Sequence, residues 1–148
     1  MTLFYLAHIL GFTLWLGGGL SSMVLGLRSR TEERSALDAL FRVQRGFQAN
    51  LMLPGILLTL ASGIYLSLPA ARAASPSSWL MLMQGCGIFA ALLYFFVVRP
   101  ASLRMGRISA VGDNAGLFDA LRKRAATGGM IAGMLGLLAL LGGVLHKY

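Results

Sequence analysis

Four long apolar segments, separated by polar ones, dominate the hydrophobic pattern of this sequence. The first runs from Leu3 to Leu27 without a charged residue, and the others are residues 51–68, 79–98 and 125–145. An α-helix rises about 1.5 Å per residue, so segments of this length match a hydrocarbon core of about 30 Å. The pattern predicts an all-α fold in which residues 1–148 form a single domain, an antiparallel bundle of four transmembrane helices.

Composition indicates a membrane protein rather than a soluble one. Of the 148 residues, 57% are hydrophobic and 12% are charged, too few to cover the surface of a soluble domain. The single cysteine, Cys86, cannot support a disulfide framework. None of the four segments contains Asp, Glu, Lys or Arg, which argues against a carboxylate proton relay or an ion-coupled transporter.

The distribution of basic residues predicts the orientation of the bundle. Five lie in residues 28–50, one in residues 69–78 and six in residues 99–124. The positive-inside rule therefore places the first and third connections in the cytoplasm and both termini outside. Lipid headgroups, not nucleic acid, are the expected partners of these basic residues. The first segment lacks a preceding basic region and an A-x-A cleavage site, so we expect it to be a retained helix.

Apolar residues lie beside the arginines of both basic connections. Leu37 and Phe41 belong to the first connection, and Leu117 and Phe118 to the third. Such amphipathic stretches are typical of helices that lie on a membrane surface. We expect short interfacial helices on the inner leaflet, with a cytosolic extension of the second span as the alternative for the first connection.

One face of the first segment carries the main candidate site. Residues spaced three or four apart share this face: His8, Gly11, Trp15, Gly18 and Ser22. Histidine is rare within membrane spans and tends to be functional there. His8 is interpreted either as a tetrapyrrole ligand or as an interhelical contact that bonds to Gln84 or to a backbone carbonyl.

Small residues predict where the helices approach closely. The second segment has a small and polar stripe formed by Gly55, Thr59, Ser62 and Gly63, and the last has a G-x-x-x-G pair, Gly129 and Gly133. The last segment also has a stripe formed by Ala132, Gly136, Ala139, Gly143 and His146. Close contact at such residues compensates for the lack of a hydrophobic drive between helices in lipid.

The first-span pattern H-x-x-G-x-x-x-W-x-G-G is formed by His8, Gly11, Trp15, Gly17 and Gly18. It resembles that of a loose group of small bacterial four-span proteins. The group includes an uncharacterised integral membrane family, CopD-type copper-resistance proteins and HemJ-type protoporphyrinogen oxidases. Residues 54–66, P-G-I-L-L-T-L-A-S-G-I-Y-L, and residues 97–101, V-V-R-P-A, are most similar to the uncharacterised family. The resemblance implies a multi-pass protein of the bacterial inner membrane.

Each relative implies a different chemistry. HemJ-type proteins would hold a haem or porphyrin through the first-span histidine, assisted by a lysine four residues after a third-span tryptophan. Counted from Trp79, that position is Met83, and no apolar segment contains lysine, which argues against oxidase activity. CopD-type proteins would handle copper through His8 with Met81 and Met83, because thioethers suit Cu(I).

The leading interpretation is a redox-linked membrane protein that binds haem b or a related tetrapyrrole through His8. Trp15, Met83 and Gln84 are the further candidate cofactor contacts. His146 is expected about 9 Å nearer the outer rim than His8, so we expect iron held by His8 alone or with Met83 or Gln84. Copper handling is one alternative. The other is a non-catalytic membrane subunit or assembly factor whose helix contacts bind another membrane protein or a second copy.

Overall fold

The computed structural model describes residues 2–71 and 77–145, and all regular structure within them is helical. The helices are α1 (Thr2–Arg28), α2 (Arg34–Phe47), α3 (Leu53–Ala71), α4 (Ser78–Leu93), α5 (Arg99–Met105) and α6 (Ala115–Leu145). Two π-helical turns, Gln48–Met52 and Tyr94–Val98, join α2 to α3 and α4 to α5. The result is four helical spans, each long and apolar enough to cross a membrane. The predicted all-α architecture is confirmed.

The second, third and fourth spans are longer than the apolar segments that predicted them. They cover Arg34–Pro69, Ser78–Met105 and Gly112–Leu145. The connection between the first and second spans is therefore only residues 29–33, and that between the third and fourth only residues 106–111. We call the end of the bundle with these two connections the basic end, and the end where α1 begins and α6 finishes the terminal end. Gly112, at φ 79°, adopts the left-handed conformation that favours glycine just before α6.

The described residues form no separate interfacial helices, because Leu37, Phe41 and Phe118 are buried within the chain, while Leu117 is 54% exposed. A second core at the basic end contains Leu37, Phe41, Ala101, Met105, Ala110, Phe118, Leu121 and Ala125. The rings of Phe41 and Phe118 pack edge to face with centroids 5.4 Å apart. Packing against protein removes the apolar surface of these side chains from water, as burial in lipid would. Accordingly α2 continues directly into α3, which is the alternative expected for the first connection.

Glycines set the helix contacts of the main core. Helix α1 packs antiparallel along α3, and α4 packs along α6. A Cβ added to Gly11 would lie 2.8 Å from the backbone nitrogen of Thr59, and one on Gly55 would lie 2.6 Å from that of Trp15. Both positions therefore require glycine. The two helix pairs meet in one core cluster: Trp15, Met52, Ile56, Ala90, Ala91, Tyr94, Val98 and Ala132.

The predicted G-x-x-x-G contact is not made within the described residues. The buried stripe of α6 is Gly128, Ala132, Gly136, Ala139 and Gly142. Gly129 and Gly133 are exposed instead, and a Cβ on either would meet nothing within 4 Å. The small stripe predicted for the last segment is thus buried at Ala132, Gly136 and Ala139, while the adjacent pair faces outward.

Each π turn lies immediately before a proline. The N–H of Leu53 bonds to the carbonyl of Gln48 and is followed by Pro54, and the N–H of Arg99 bonds to the carbonyl of Tyr94 and is followed by Pro100. A proline within a helix lacks its own N–H and crowds the carbonyl four residues earlier. The wider i to i+5 turn relieves that crowding without breaking the helix.

Candidate functional site

The predicted face of α1 packs against the second span over its whole length. Its three buried residues are Gly11, Trp15 and Gly18. Gly18 lies against Met52, and the hydroxyl of Ser22 approaches the Met52 sulfur at 3.8 Å. At the terminal end of the same face, His8 contacts Thr59. The prediction that these α1 residues share one face is confirmed.

The ring of His8 is held by two oxygen atoms of α3. Its Nδ1 lies 3.0 Å from the carbonyl oxygen of Thr59 and 3.2 Å from Oγ of Ser62. A carbonyl oxygen only accepts hydrogen bonds, so Nδ1 must carry the hydrogen. The Ser62 hydroxyl donates its own hydrogen to the carbonyl of Leu58 at 2.6 Å, which leaves its oxygen free to accept from Nδ1. In the neutral imidazole, Nε2 is then the unprotonated nitrogen.

The surroundings of His8 are mostly apolar. The ring lies over Gly63, where an added Cβ would be 3.1 Å from Cε1. Phe4, one turn earlier on α1, stacks on Tyr65 of α3 with ring centroids 3.7 Å apart. His8 itself is half-buried, and among the described residues Nε2 has no hydrogen-bond partner. One nitrogen of the ring is therefore fixed and the other is available as a ligand.

Gln84 contacts the same helix as His8 at a different residue. Its Nε2 donates to Oγ of Ser67 at 2.6 Å, and that hydroxyl donates to the carbonyl of Gly63 at 2.7 Å. The expected bond from His8 to a backbone carbonyl is present, with Thr59 as its acceptor. The expected bond between His8 and Gln84 is not among those of the described side chains.

The remaining predicted site residues lie in other contacts. Trp15 is 7% exposed and belongs to the main core cluster. Met83 packs on α6, where its sulfur would be 3.1 Å from a Cβ on Gly143. Met81 is 60% exposed. His146 lies outside the described residues, so its predicted height remains a prediction.

A metal ion would find few ligands here. Within residues 2–71 and 77–145, no three His, Cys, Asp or Glu side chains come close enough to hold one together. Copper handling through His8, Met81 and Met83 stays a prediction, because thioether sulfur also binds Cu(I).

Sequence reasoning missed a second site at the basic end. An open cleft of about 390 Å³ lies between the second and third spans, and its lining includes Arg42, Arg45, Arg99 and Tyr94. The signals that mark it in the sequence are the two prolines, Pro54 and Pro100, because each is preceded by the π turn that forms one wall.

A family model described as "Predicted integral membrane protein (DUF2269)" matches residues 2–145. No curated protein and no solved structure shows a significant match to the chain. The description of the family agrees with the four spans and names no ligand, reaction or partner.

Proposed function

This chain belongs to the family of predicted integral membrane proteins whose model it matches, and we propose that it binds haem b or a related tetrapyrrole through His8. It is a multi-pass integral membrane protein. The proposal includes its location in the bacterial inner membrane. The observation that carries it is the hydrogen bond of 3.0 Å from Nδ1 of His8 to the carbonyl oxygen of Thr59.

That hydrogen bond is what an axial histidine needs. Histidines that bind metal usually donate their second ring N–H to a carbonyl or carboxylate, which fixes the tautomer and raises the basicity of the ligating nitrogen. Thr59 supplies this acceptor, and Ser62 supplies a second one at 3.2 Å. Nε2 of His8 is then oriented and unprotonated. A haem bound there would supply one-electron redox chemistry.

The contacts of the other candidates favour His8 as the residue that would hold the haem iron. The amide of Gln84 donates to Ser67, and Met83 packs on Gly142 and Gly143. Either side chain would have to leave its present contact to reach iron. The apolar pair Phe4 and Tyr65 lies close to His8 and offers the kind of surface that a porphyrin ring prefers.

Titration of the purified protein with haem b, followed by visible absorption, tests the proposal. We expect a saturable Soret band that is lost in His8→Ala and retained in His146→Ala. Added imidazole should restore part of the band in His8→Gly. A folded wild-type protein that stays colourless, or a His8→Ala variant that binds haem as tightly as the wild type, would contradict the proposal.

A matched pair of serine variants sharpens this test. Ser62→Ala removes the second acceptor of His8 and should weaken haem binding by roughly tenfold, because groups that orient a metal-binding histidine contribute about that much to affinity. Ser67→Ala removes the partner of Gln84 and should leave haem affinity unchanged. Equal effects of the two substitutions would mean that helix packing, rather than ligand orientation, controls the site.

The outward-facing glycines favour a second candidate function. Gly129 and Gly133 are one turn apart on α6, and a Cβ on either meets nothing within 4 Å. Such a pair allows another transmembrane helix to approach closely. As a non-catalytic subunit or assembly factor, the protein would bind a partner or a second copy there. Gly133→Leu should then abolish cross-linking between α6 and the partner or second copy, and it should leave the fold intact. Unchanged cross-linking between them would reject this function.

A further inference from the structure

The cleft at the basic end gathers positive charge around a buried junction between two spans. Arg42 and Arg45 reach it from α2, and Arg99 reaches it from the start of α5. Its volume is about 390 Å³, and no acidic residue lines it. The cleft is therefore a concave surface of one charge sign, which concentrates anions.

A hydrogen bond fixes the register of the two walls. The hydroxyl of Tyr94 donates to the carbonyl oxygen of Gln48 at 3.1 Å, and Tyr94 is 1% exposed and Gln48 5% exposed. Measured from this bond along the helix axes, Arg45 lies about 4.5 Å, Arg99 about 7.5 Å and Arg42 about 9 Å towards the basic end. The backbone positions of the three arginines thus lie within about 4.5 Å of one another along the helix axes, and the guanidinium group of Arg45 extends to the carbonyl of Gly106.

None of the three arginines has a carboxylate partner in the described part of the chain. The ion pairs there join Arg34 and Arg122 to Asp119. Arg45 makes one long hydrogen bond, 3.4 Å, to the carbonyl of Gly106. Asp38 lies one turn before Arg42 on α2, but its carboxylate accepts hydrogen bonds from Ser109 and from the N–H of Ala110. Arg42 and Arg99 are exposed and Arg45 is half-buried, and charges of one sign without an ion-pair partner favour an added anion.

The position of the cleft indicates what kind of anion it accepts. Arg99 directly follows the apolar run that ends at Val98, and Leu53 and Leu103 add apolar walls beside the charges. A ligand that satisfies both must carry a negative headgroup and an apolar tail. The planar guanidinium group of arginine matches phosphate oxygens through paired hydrogen bonds. We propose that this cleft binds the phosphate headgroup of an anionic phospholipid.

The experiment compares lipids whose headgroups differ in net charge. The full-length protein is placed in phosphatidylcholine nanodiscs with a titrated fraction of phosphatidylglycerol, and bound lipid is counted by native mass spectrometry after release. Phosphatidylcholine also has a phosphate, but its ammonium group opposes the charge. We expect saturable retention of phosphatidylglycerol. Glycerol 3-phosphate added to phosphatidylcholine nanodiscs should not raise the unfolding temperature, whereas phosphatidylglycerol should.

Variants of equal charge change separate a site from general attraction. Arg42→Gln with Arg99→Gln should weaken phosphatidylglycerol retention by at least roughly tenfold, because each guanidinium that is removed takes its charge-assisted hydrogen bonds to the phosphate with it. Arg124→Gln with Lys123→Gln removes the same charge from exposed positions of α6 outside the cleft, where salt screens it, and should change retention by less than about twofold. Arg42→Lys with Arg99→Lys keeps the charge and serves if the glutamine pair fails to fold, with partial retention expected.

Two results would overturn the proposal. Equal losses in the cleft pair and the α6 pair would show that the basic end attracts anionic lipid without a site. An equal rise in unfolding temperature from glycerol 3-phosphate would show that the cleft takes soluble phosphate esters instead of lipid. Neither result bears on haem binding at His8, which is at the terminal end.

Discussion

Polar groups at the two ends of the bundle are satisfied in different ways. Towards the terminal end, His8, Ser62 and Gln84 all bond to atoms of α3 at 2.6 to 3.2 Å. At the basic end, Arg34 bonds to Asp119 at 2.7 Å, while none of the three cleft arginines forms an ion pair with a described acid. Asp38, one turn before Arg42 on α2, accepts hydrogen bonds from Ser109 and Ala110 instead. Polar groups within lipid must find partners inside the protein, whereas those at its surface can use water or lipid headgroups.

This difference explains why Nε2 of His8 at one end and the arginine-lined cleft at the other are the two features proposed to bind ligands. Towards the terminal end, α3 holds Nδ1 of His8, and Nε2 of the same ring has no hydrogen-bond partner among the described residues. In the cleft at the basic end, the charged groups without an ion-pair partner among the described residues are arginine guanidinium groups, which are hydrogen-bond donors and favour an anionic ligand. The predictions below test this contrast.

The orientation of the two ends is the first prediction, and its outcome is all or none. Reporter fusions within residues 29–33 and 106–111 should be cytoplasmic, and fusions at either terminus should be external. The reason is that 11 of the 13 basic residues lie in the first and third predicted connections, residues 28–50 and 99–124. Paired phosphatase and fluorescent-protein fusions measure this, and a cytoplasmic C-terminus would reverse the assignment.

The largest energetic effect is expected at the contact between α1 and α3. Gly55→Ala places a methyl group where only 2.6 Å separates it from the backbone nitrogen of Trp15, so the helices must move apart. Overpacking of this kind costs about 1 to 3 kcal/mol. Gly129→Ala is the control, because its Cβ meets nothing within 4 Å. Unfolding in mixed micelles should separate the two variants, and equal stability would contradict the close contact.

A smaller effect is expected from the bond between Gln84 and Ser67. Gln84→Leu should reduce the free energy of unfolding by about 0.6 kcal/mol, the average for hydrogen bonds between transmembrane helices. A double-mutant cycle with Ser67→Ala isolates the pair. No coupling energy between the two positions would show that this bond is not formed in the membrane.

The smallest effect is expected from the ion pair at the basic end. Arg34 and Asp119 are 52% and 36% exposed, so water and salt screen their attraction. Asp119→Asn should cost at most about 1 kcal/mol, and less as salt is raised. Chemical unfolding at low and high ionic strength checks this. A loss independent of salt would point to packing of Phe118 rather than to charge.

Sequence periodicity predicted the face of α1 because every residue on it is set by one helical repeat. His8 and Gly18 therefore lie where the pattern placed them. The hydrogen-bond partner of His8 was harder to predict. Equal depth of His8 and Gln84 in the membrane does not determine how their helices are rotated about their axes, and so does not determine whether the two side chains face each other. Gln84 is directed to Ser67 instead.

The ends of the spans were predicted only in part, since the extension of the second span was one of two expectations for the first connection. Hydropathy locates the apolar part of a helix but not the point where it stops, and the burial of Leu37 and Phe118 in a second core depends on tertiary contacts. Arg42 and Arg45 lie at least 54 residues before Arg99 in the sequence and on a different span. Only the tertiary packing of the second span on the third brings them to one cleft.

The central claim is that α3 holds Nδ1 of His8 and leaves Nε2 free. Selective ¹⁵N-histidine NMR of the His146→Gln variant in lipid, in which His8 is the sole histidine, tests it most directly. The account predicts a protonated Nδ1 and an unprotonated Nε2 in the neutral ring, with Nδ1 exchange slowed by the Thr59 carbonyl. A neutral His8 with its proton on Nε2 would contradict the account, because the nitrogen proposed to bind iron would then be occupied.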